Sequence, residues 1–193
     1  MLGQSGWKPT DTLQLPWTEY IPHKPTPKQL AFLLLTNREA LYGGAAGGGK
    51  SDALLMAALQ HVNVPGYSAL LLRRSYTDLA LPGALMSREW LMPSSAAWRD
   101  GMKTWVFPSN ATITFGYLER PGDEYRYQST EFQFIGFDEL TQFSENQYRY
   151  LFSRLRRTTQ VDVPLRMRSA SNPGGIGHEW VRERFIDSEG FVE

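Results

Sequence analysis

The stretch GGAAGGGKS, residues 43–51, combines glycines with a lysine and a hydroxyl side chain. Gly44 is followed after four residues by Gly49, Lys50 and Ser51, which matches the pattern Gly-x-x-x-x-Gly-Lys-Ser/Thr in full. Glycines let backbone N–H groups turn inward around an anion, and a helix that follows adds its own unpaired N–H groups. The pattern predicts a phosphate-binding loop; the alternative is a glycine-rich turn without a ligand.

Within this loop we expect Lys50 to reach the β- and γ-phosphates of a nucleotide and the Ser51 hydroxyl to ligate Mg²⁺. The residues predicted to surround the phosphates are Gly44, Ala45, Ala46, Gly47, Gly48, Gly49, Lys50 and Ser51.

A pair of acids follows an apolar run in FQFIGFDEL, where Asp138 and Glu139 come directly after six mostly apolar residues. We expect Asp138 to hold Mg²⁺, directly or through its water, and Glu139 to orient and deprotonate an attacking water. The alternative is that the two acids begin a solvated loop. A second carboxylate favours hydrolysis of the nucleotide, because transfer to a small acceptor more often needs only the metal ligand.

Short polar side chains end another predicted strand, in RMRSASNPGG at residues 166–175. At the carboxyl end of a strand in an open α/β sheet, Ser169, Ser171 and Asn172 would face the ligand crevice and could contact a γ-phosphate. The other interpretation is turn chemistry, since Asn-Pro and Gly-Gly are common turn formers.

Strands and helices that alternate along the chain must position these groups. The predicted strands cover residues 39–44, 67–74, 132–137 and 164–171, with a hairpin across 103–118. The predicted helices begin near residue 26 and cover 51–62, part of 75–92 with an interruption at Pro82 and Gly83, 144–157 and 177–186. We therefore expect an α/β fold with a largely parallel central sheet flanked by helices.

Two of the helix starts carry the pattern of a capping box. Thr26 and Gln29 form one such pair, with Pro27 at the first helical position, and Ser144 and Gln147 form the other.

Composition limits the class of protein. The 193 residues suffice for one domain with a sizeable core, and 20 basic against 20 acidic residues give no argument for a nucleic-acid or membrane partner. The chain has no cysteine, which excludes disulfides and thiolate metal sites. We expect an irregular N-terminal arm over residues 1–24 and one domain over residues 25–193 that is truncated at its C-terminal end.

Three blocks of the sequence together resemble a known family. LYGGAAGGGKS, FQFIGFDELTQFSENQYRYLFSRLR and RSASNPGGIGHEWVRERF are similar to the ATPase domain of the large terminase subunit of tailed bacteriophages, over about residues 25–187. The resemblance implies an ASCE-type P-loop NTPase that uses ATP and Mg²⁺ to pump double-stranded viral DNA into a procapsid. It also implies a homo-oligomeric ring, a portal protein and a small terminase subunit as partners, no membrane, and a place in the host cell cytoplasm outside the mature virion.

The resemblance assigns roles by position. Residues 44–51 match the Walker A motif, Asp138 and Glu139 match Walker B with its catalytic glutamate, and residues 169–172 match the motif that couples hydrolysis to DNA movement. Gln29, within TPKQ, matches the segment that reads adenine, and a glutamine amide can make two hydrogen bonds to an adenine edge. The capping-box role of Gln29 is physically as good, so both interpretations stay open.

The sequence departs from the family in two respects. The C-terminal RNase H-like nuclease domain is absent from this chain, so nothing in it argues for DNA cleavage. The loop also lacks the basic residue that many family members carry near position 46, because Ala45 and Ala46 are both neutral.

An arginine outside the loop is therefore expected to stabilise the charge that develops on the phosphoryl group, and it can come from a neighbouring subunit. We favour Arg126 or Arg156 acting in trans. The full set of candidates is Arg73, Arg74, Arg126, Arg154, Arg156 and Arg157. The alternative for each is an exposed arginine on a solvated face. The eight arginines between residues 149 and 184 could face a DNA backbone or pair with acids of neighbouring subunits.

The sequence thus predicts the motor domain of a DNA-packaging ATPase. Two other functions are kept as alternatives. One is a different P-loop enzyme, such as a helicase-like ATPase or a small-molecule kinase. The other is an assembly module that binds a nucleotide without turnover.

Overall fold

The structure is a computed structural model, and it describes residues 17–44, 47–79, 82–158 and 161–187, with the side chains of residues 78–86 left aside. Most of the expected N-terminal arm, residues 1–16, lies outside the described residues, as do Ala45 and Ala46 of the loop. Residues 17–24 are irregular, yet Tyr20 and Ile21 are buried in the core. This part of the arm therefore packs as part of the domain.

Seven strands form one sheet. They are β1 (Glu39–Gly43), β2 (Ser68–Arg73), β3 (Ala97–Arg99), β4 (Thr104–Val106), β5 (Thr112–Tyr117), β6 (Phe134–Asp138) and β7 (Arg166–Ser171). The order across the sheet is β1-β7-β6-β2-β5-β4-β3. The first five strands in this order run parallel to one another, β4 pairs antiparallel with β5, and β3 pairs antiparallel with β4. The predicted α/β fold with a largely parallel sheet is confirmed.

In the described part of the chain, six α-helices accompany the sheet. They are α1 (Pro27–Leu34), α2 (Lys50–Leu59), α3 (Tyr76–Leu79), α4 (Pro82–Leu91), α5 (Glu145–Phe152) and α6 (His178–Arg182), and a π-helical turn, Glu183–Asp187, continues α6. No helix among the described residues has the length and apolar character needed to cross a lipid bilayer.

The two predicted capping boxes are both present. The Thr26 side chain accepts from the backbone N–H of Gln29, and the Ser144 side chain accepts from that of Gln147, with the reciprocal side-chain bonds also formed. Each box satisfies helix-start donors that would otherwise lack partners, so the sequence fixes where α1 and α5 begin.

The residues predicted to be partly helical over 75–92 form α3 and α4, on either side of residues 80 and 81, which lie outside the described residues, so the interruption at Pro82 and Gly83 stays a prediction. One predicted helix limit is wrong. The helix expected over residues 144–157 ends at Phe152. Beyond it the backbone N–H of Arg156 donates to the carbonyl oxygen of Phe132, so this segment pairs with the chain just before β6.

Strand β3 was not predicted, because three residues are too few to show an alternating pattern. It extends the predicted hairpin, with Trp98 opposite Trp105 and their rings 5.2 Å apart.

Both faces of the sheet are covered, so successive residues of the central strands enter two different cores. On one face Ala69 and Leu71 of β2 pack with α1, α2 and α4; on the other Leu70 and Leu72 pack with α5 and α6. Burial on both faces explains why the parallel strands read as continuous apolar runs.

A buried ion pair fixes the C-terminal helix to the start of β1. Arg184 donates to both carboxylate oxygens of Glu39, at 2.8 and 3.0 Å, and the Tyr148 hydroxyl donates to the same carboxylate at 2.8 Å. Burial and the adjacent Glu39 charge raise the pKa of Tyr148 well above its ordinary value, so the phenol stays a donor.

Candidate active site

The carboxyl ends of the parallel strands meet at one edge of the sheet. Because β7 inserts between β1 and β6, the loop after β1, the acids at the end of β6 and the polar end of β7 become neighbours. They surround a cavity of about 330 Å³ lined by residues 47–52, Arg73, Asp138, Glu139 and residues 170–172. The three motifs of the sequence therefore converge on one site.

The loop after β1 has the backbone conformation that its glycines predict. Gly44, Gly47 and Gly49 have φ values of 141°, 78° and 66°, which side chains disfavour. Gly49 immediately precedes α2, and no side chain in the described part of the chain caps the start of that helix. The first turn of α2 thus presents its N–H groups and positive end towards the cavity, as phosphate binding requires.

Two side chains hold the loop from within. Lys50 Nζ donates to the carbonyl oxygen of Gly44 at 3.0 Å, which sets the ammonium group at the mouth of the loop. The Tyr42 hydroxyl donates to the carbonyl oxygen of Gly48 at 3.3 Å. The charge of Lys50 therefore lies where the phosphates of a nucleotide would enter.

Ser51 and Asp138 meet at the base of the cavity. The Ser51 hydroxyl donates to Asp138 Oδ1 at 3.0 Å, although 87 residues separate the two in sequence. A hydroxyl and a carboxylate side by side are hard oxygen ligands that fit Mg²⁺. Among the described residues, no group of three or more acidic, histidine or cysteine side chains is placed to hold a metal ion. At the Ser51 and Asp138 pair, waters and phosphate oxygens would be the other ligands of Mg²⁺.

Glu139 stands immediately after the metal-ligand candidate. Its side chain is exposed and lines the cavity, and its backbone is left-handed, with φ 61° and ψ 55°. This conformation costs a residue other than glycine roughly 1–2 kcal/mol, so the surrounding structure must impose it. The residues of β6 are buried, and the turn at Glu139 leads the chain out of the strand, so that the Glu139 side chain lines the cavity. A general base needs such a position.

The polar end of β7 contributes two of its three predicted side chains. Ser171 and Asn172 line the cavity, whereas Ser169 lies deeper and does not. The Ser171 hydroxyl accepts from the backbone N–H of Thr141 at 3.2 Å, which ties β7 to the segment just after Glu139. Asn172 Oδ1 is buried without a hydrogen-bond partner among the described residues, a state that calls for an explanation in a functional site.

Gln29 uses its amide within the protein. Its Oε1 accepts from the Thr26 backbone N–H at 2.8 Å, while its Nε2 donates to the Gly49 carbonyl oxygen at 2.9 Å and to Asp52 Oδ2 at 2.5 Å. The side chain is buried and does not line the cavity. The capping-box role is confirmed, and the adenine-reading role stays a prediction without a supporting contact.

The two favoured arginines do not line the cavity of their own chain. Arg126 pairs with Asp123 at 2.5 Å, lies 4.6 Å from the centre of the Tyr117 ring, and borders a second cavity of about 490 Å³. Arg156 lies 3.6 Å from Glu131, near the amino end of β6 and thus at the opposite edge of the sheet.

The expectation that Arg126 or Arg156 acts on the nucleotide of a neighbouring subunit therefore stays a prediction. The arginine that the fold does bring to the site is Arg73, the last residue of β2. The sequence named it among the candidates but did not favour it, because its place depends on strand pairing.

Comparison with known proteins places the chain in a family. Residues 41–179 match the family described as terminase large subunit, T4likevirus-type, N-terminal. No curated protein matches the chain.

Solved structures share the fold. The large terminase of bacteriophage HK97 aligns with a TM-score of 0.62 at 13% identity, over 84% of this chain and 37% of its own. The large terminase of a thermophilic bacteriophage aligns with a TM-score of 0.66 at 14% identity, over 85% and 43%. The large terminase ATPase domain of Thermus phage P74-26 aligns with a TM-score of 0.59 at 16% identity, over 90% and 76%.

This chain thus spans less than half of the first two terminases. The family match covers most of its length and includes all three motifs that meet at the cavity. The chain belongs to the family of phage terminase large subunits and matches the N-terminal part of that family.

Proposed function

We propose that this chain is an ATP-hydrolysing motor domain that drives double-stranded viral DNA into a procapsid. The observation that carries the proposal is the contact of 3.0 Å between Ser51 of the phosphate loop and Asp138, with Glu139 beside them. Family membership supports DNA packaging as the use of the energy, and the solved relative from Thermus phage P74-26 is an ATPase domain of this kind.

The loop and α2 bind the nucleotide. Backbone N–H groups of residues 47–51 surround the phosphates, and Lys50 leaves the Gly44 carbonyl to neutralise the β- and γ-phosphates. Ser51 and Asp138 would hold Mg²⁺, which when bound supplies positive charge to the same phosphate oxygens.

Glu139 acts on the water. Its carboxylate accepts a proton from a water molecule as the water oxygen attacks the γ-phosphorus, and the bond from that phosphorus to the β-bridging oxygen breaks to leave ADP and phosphate. The left-handed backbone at Glu139 turns the chain directly after Asp138, and the two residues line the same cavity.

The end of β7 is proposed to report the state of the γ-phosphate. Asn172 lines the cavity, and its buried amide oxygen has no hydrogen-bond partner among the described residues. The adjacent Ser171 is bonded to Thr141, two residues after Glu139. A shift at Asn172 would therefore pass to the β6 and β7 ends together, as the coupling-motif role of residues 169–172 requires.

The assembled motor is proposed as a homo-oligomeric ring in the host cell cytoplasm that meets the portal protein, the small terminase subunit and DNA. Arg126 is the better trans finger of the two favoured arginines. Its side chain is 45% exposed, and it is held by Asp123 and the Tyr117 ring. The Arg156 side chain is also exposed, but it lies 3.6 Å from Glu131 near the amino end of β6, at the edge of the sheet away from the cavity.

Phosphate release by the wild-type chain, with and without double-stranded DNA and procapsids, tests the proposal. We expect Glu139→Gln to lower turnover by about 10²-fold or more, as loss of a general base does, while Mg²⁺-dependent ATP binding persists. Glu145→Gln is the matched control, because Glu145 lies on α5, 3.6 Å from Arg149, and does not line the cavity.

Each alternative has its own result. ATP binding with a change of oligomeric state and no turnover under any condition would favour the assembly module. Phosphate transfer to a small acceptor that survives Glu139→Gln would favour a kinase. Turnover that any DNA stimulates equally, without procapsids, would favour a helicase-like ATPase.

A further inference from the structure

Arg73 occupies a position in the site that the proposed mechanism does not use. It is the last residue of β2, which runs parallel to β6 with Leu72 opposite Phe137. The next residue of each strand is Arg73 and Asp138, so the strand register itself brings them together at the cavity. Nothing local in the sequence carries this relationship.

The contact between the two side chains is close and buried. Arg73 Nε donates to Asp138 Oδ2 at 2.8 Å, Nη2 donates to the same oxygen, and Ser51 holds the other oxygen, Oδ1. The side chains of Arg73 and Asp138 are only 14% and 11% exposed. A pair this buried is weak evidence for stability, because desolvation of the two charges offsets their attraction. A functional reason for Arg73 is therefore needed.

We propose that Arg73 is a cis-acting cation of the nucleotide site: it shares the Asp138 carboxylate with Mg²⁺ and contacts the nucleotide phosphates when it leaves that carboxylate. The inference rests on the proposed function. Its basis is the double donation from Arg73 to the one carboxylate that also receives Ser51, inside the cavity that the phosphate loop lines.

Competition for Asp138 follows from the geometry. Both carboxylate oxygens of Asp138 already accept hydrogen bonds, one from Ser51 and the other from Arg73. A metal ion bound to this carboxylate would therefore compete with the guanidinium of Arg73 for it. The Arg73 side chain is mostly buried and lines the same cavity as the phosphate loop. Phosphate oxygens of a bound nucleotide would be acceptors within that cavity for the displaced N–H groups, since a planar guanidinium binds phosphate with two parallel hydrogen bonds.

The loop itself makes such a cation useful. The residues between Gly44 and Lys50 are all alanine or glycine, so the loop contributes no arginine to the phosphoryl charge. A P-loop protein that carries an arginine in cis hydrolyses its nucleotide faster than one whose trans arginine is absent. Arg73 would provide that charge from β2, alongside any finger from a neighbouring subunit.

The test is binding by the purified chain without turnover. A fluorescent ADP is titrated with Mg²⁺, and the complex with ADP and aluminium fluoride, an analogue of the transferring phosphoryl group, is then measured at saturating Mg²⁺. The variants are Arg73→Met, Arg73→Lys and the control Arg74→Met. Arg74 ends the same segment but donates to the Leu118 carbonyl oxygen and does not line the cavity.

We expect Arg73→Met to need several-fold less Mg²⁺ for half-maximal binding and to bind the aluminium fluoride complex about tenfold or more weakly, since a phosphate-contacting charge is lost. The affinity of Arg73→Lys for the aluminium fluoride complex should lie between those of the wild type and Arg73→Met, because an ammonium keeps the charge but lacks the planar, forked geometry of a guanidinium. Arg74→Met should match the wild type in both measurements.

A merely structural ion pair would alter the Mg²⁺ titration alone. Wild-type affinity of Arg73→Met for the aluminium fluoride complex at saturating Mg²⁺ would therefore overturn the inference. If Arg73→Met does not fold, as judged by its melting curve, Arg73→Lys decides in the same way: weaker analogue binding supports the inference and unchanged binding overturns it. Failure of the wild type to bind any nucleotide would instead contradict the proposed function.

Discussion

Gln29 Nε2 donates to the carbonyl oxygen of Gly49 at 2.9 Å, which joins the first turn of α1 to the residue that closes the phosphate loop. The same nitrogen donates to Asp52 in the first turn of α2, and Asp52 Oδ1 lies 3.1 Å from His23 Nε2. The conformation of the loop therefore depends on residues about 20 positions earlier. The link also gives Gln29 a structural role that accounts for its burial without a nucleotide base.

Gln29→Ala is expected to reduce stability without changing base preference. The substitution removes the capping-box bond to Thr26 and leaves the Gly49 carbonyl without its donor, for a loss of about 1–3 kcal/mol in the free energy of unfolding. Denaturant unfolding measures the loss, and competition between ATP and GTP measures the preference. Gln60→Ala, on α2's C-terminal side, is the control. A selective loss of ATP affinity with unchanged stability would instead establish the adenine-reading role.

Gly49→Ala is expected to damage the loop more than a neighbouring glycine substitution. Gly49 has φ 66°, and a Cβ there would lie 2.6 Å from Gln29 Nε2, so both backbone strain and a clash arise. We expect a loss of about 1–3 kcal/mol in unfolding free energy, together with weaker nucleotide binding.

Gly43→Ala is the matched control, because a Cβ at Gly43 meets no atom within 4 Å. Denaturant unfolding and ADP titration of both variants make the comparison. Equal behaviour of the two would contradict the conformational role of Gly49.

The site could be predicted from the sequence wherever a motif is local. Residues 44–51 specify their own turn and helix start, and Asp138 and Glu139 follow an apolar run that ends where β6 ends. Arg73 was not favoured, because its contact with Asp138 depends on the pairing of β2 with β6, strands about 65 residues apart. Register between distant strands is set by packing of both faces, which no single stretch of sequence reports.

The same limit explains the wrong helix end near Arg156. The sequence predicts a helix through residue 157, which would place Arg156 on an exposed helical face. The chain instead leaves α5 at Phe152 and pairs beside the start of β6, so Arg156 lies at the edge of the sheet away from the nucleotide. Tertiary pairing there overrides helix propensity.

Arg126 is expected to act on the nucleotide of a neighbouring subunit, whereas Arg156 is not. Arg126→Ala should lower turnover of assembled motors by about 10³-fold, the lower end of the range for an arginine finger, and Arg156→Ala should leave turnover near the wild-type value. The physical reason is that Asp123 and the Tyr117 ring hold the half-exposed Arg126 side chain away from the nucleotide cavity of its own chain. Phosphate release under assembly conditions measures both.

Mixing separates action in trans from loss of structure. Subunits with Arg126→Ala keep an intact cavity, and subunits with Glu139→Gln keep their arginine, so mixed rings should regain part of the turnover that neither variant shows alone. The absence of any recovery across mixing ratios, with both variants assembled, would contradict the trans assignment.

His61 is expected to make stability depend on pH. Its ring lies 5.8 Å from that of Tyr67, and burial, together with the positive charge of Arg166, lowers its pKa from 6.5 to about 4. Between pH 6.5 and about 4, His61 is therefore protonated in the unfolded chain but neutral in the folded chain. Stability from this group is complete above pH 6.5 and is lost as the pH falls towards 4, by an amount on the order of 1–3 kcal/mol.

The measurement compares the wild type with His61→Phe, which keeps an aromatic ring against Tyr67 but cannot titrate. Unfolding free energies at pH 7.5 and pH 4.5 should differ less for the variant than for the wild type, because carboxylates contribute equally to both proteins and cancel. If His61→Phe shows the same loss between the two pH values as the wild type, the proton is taken up elsewhere and the assignment to His61 is wrong.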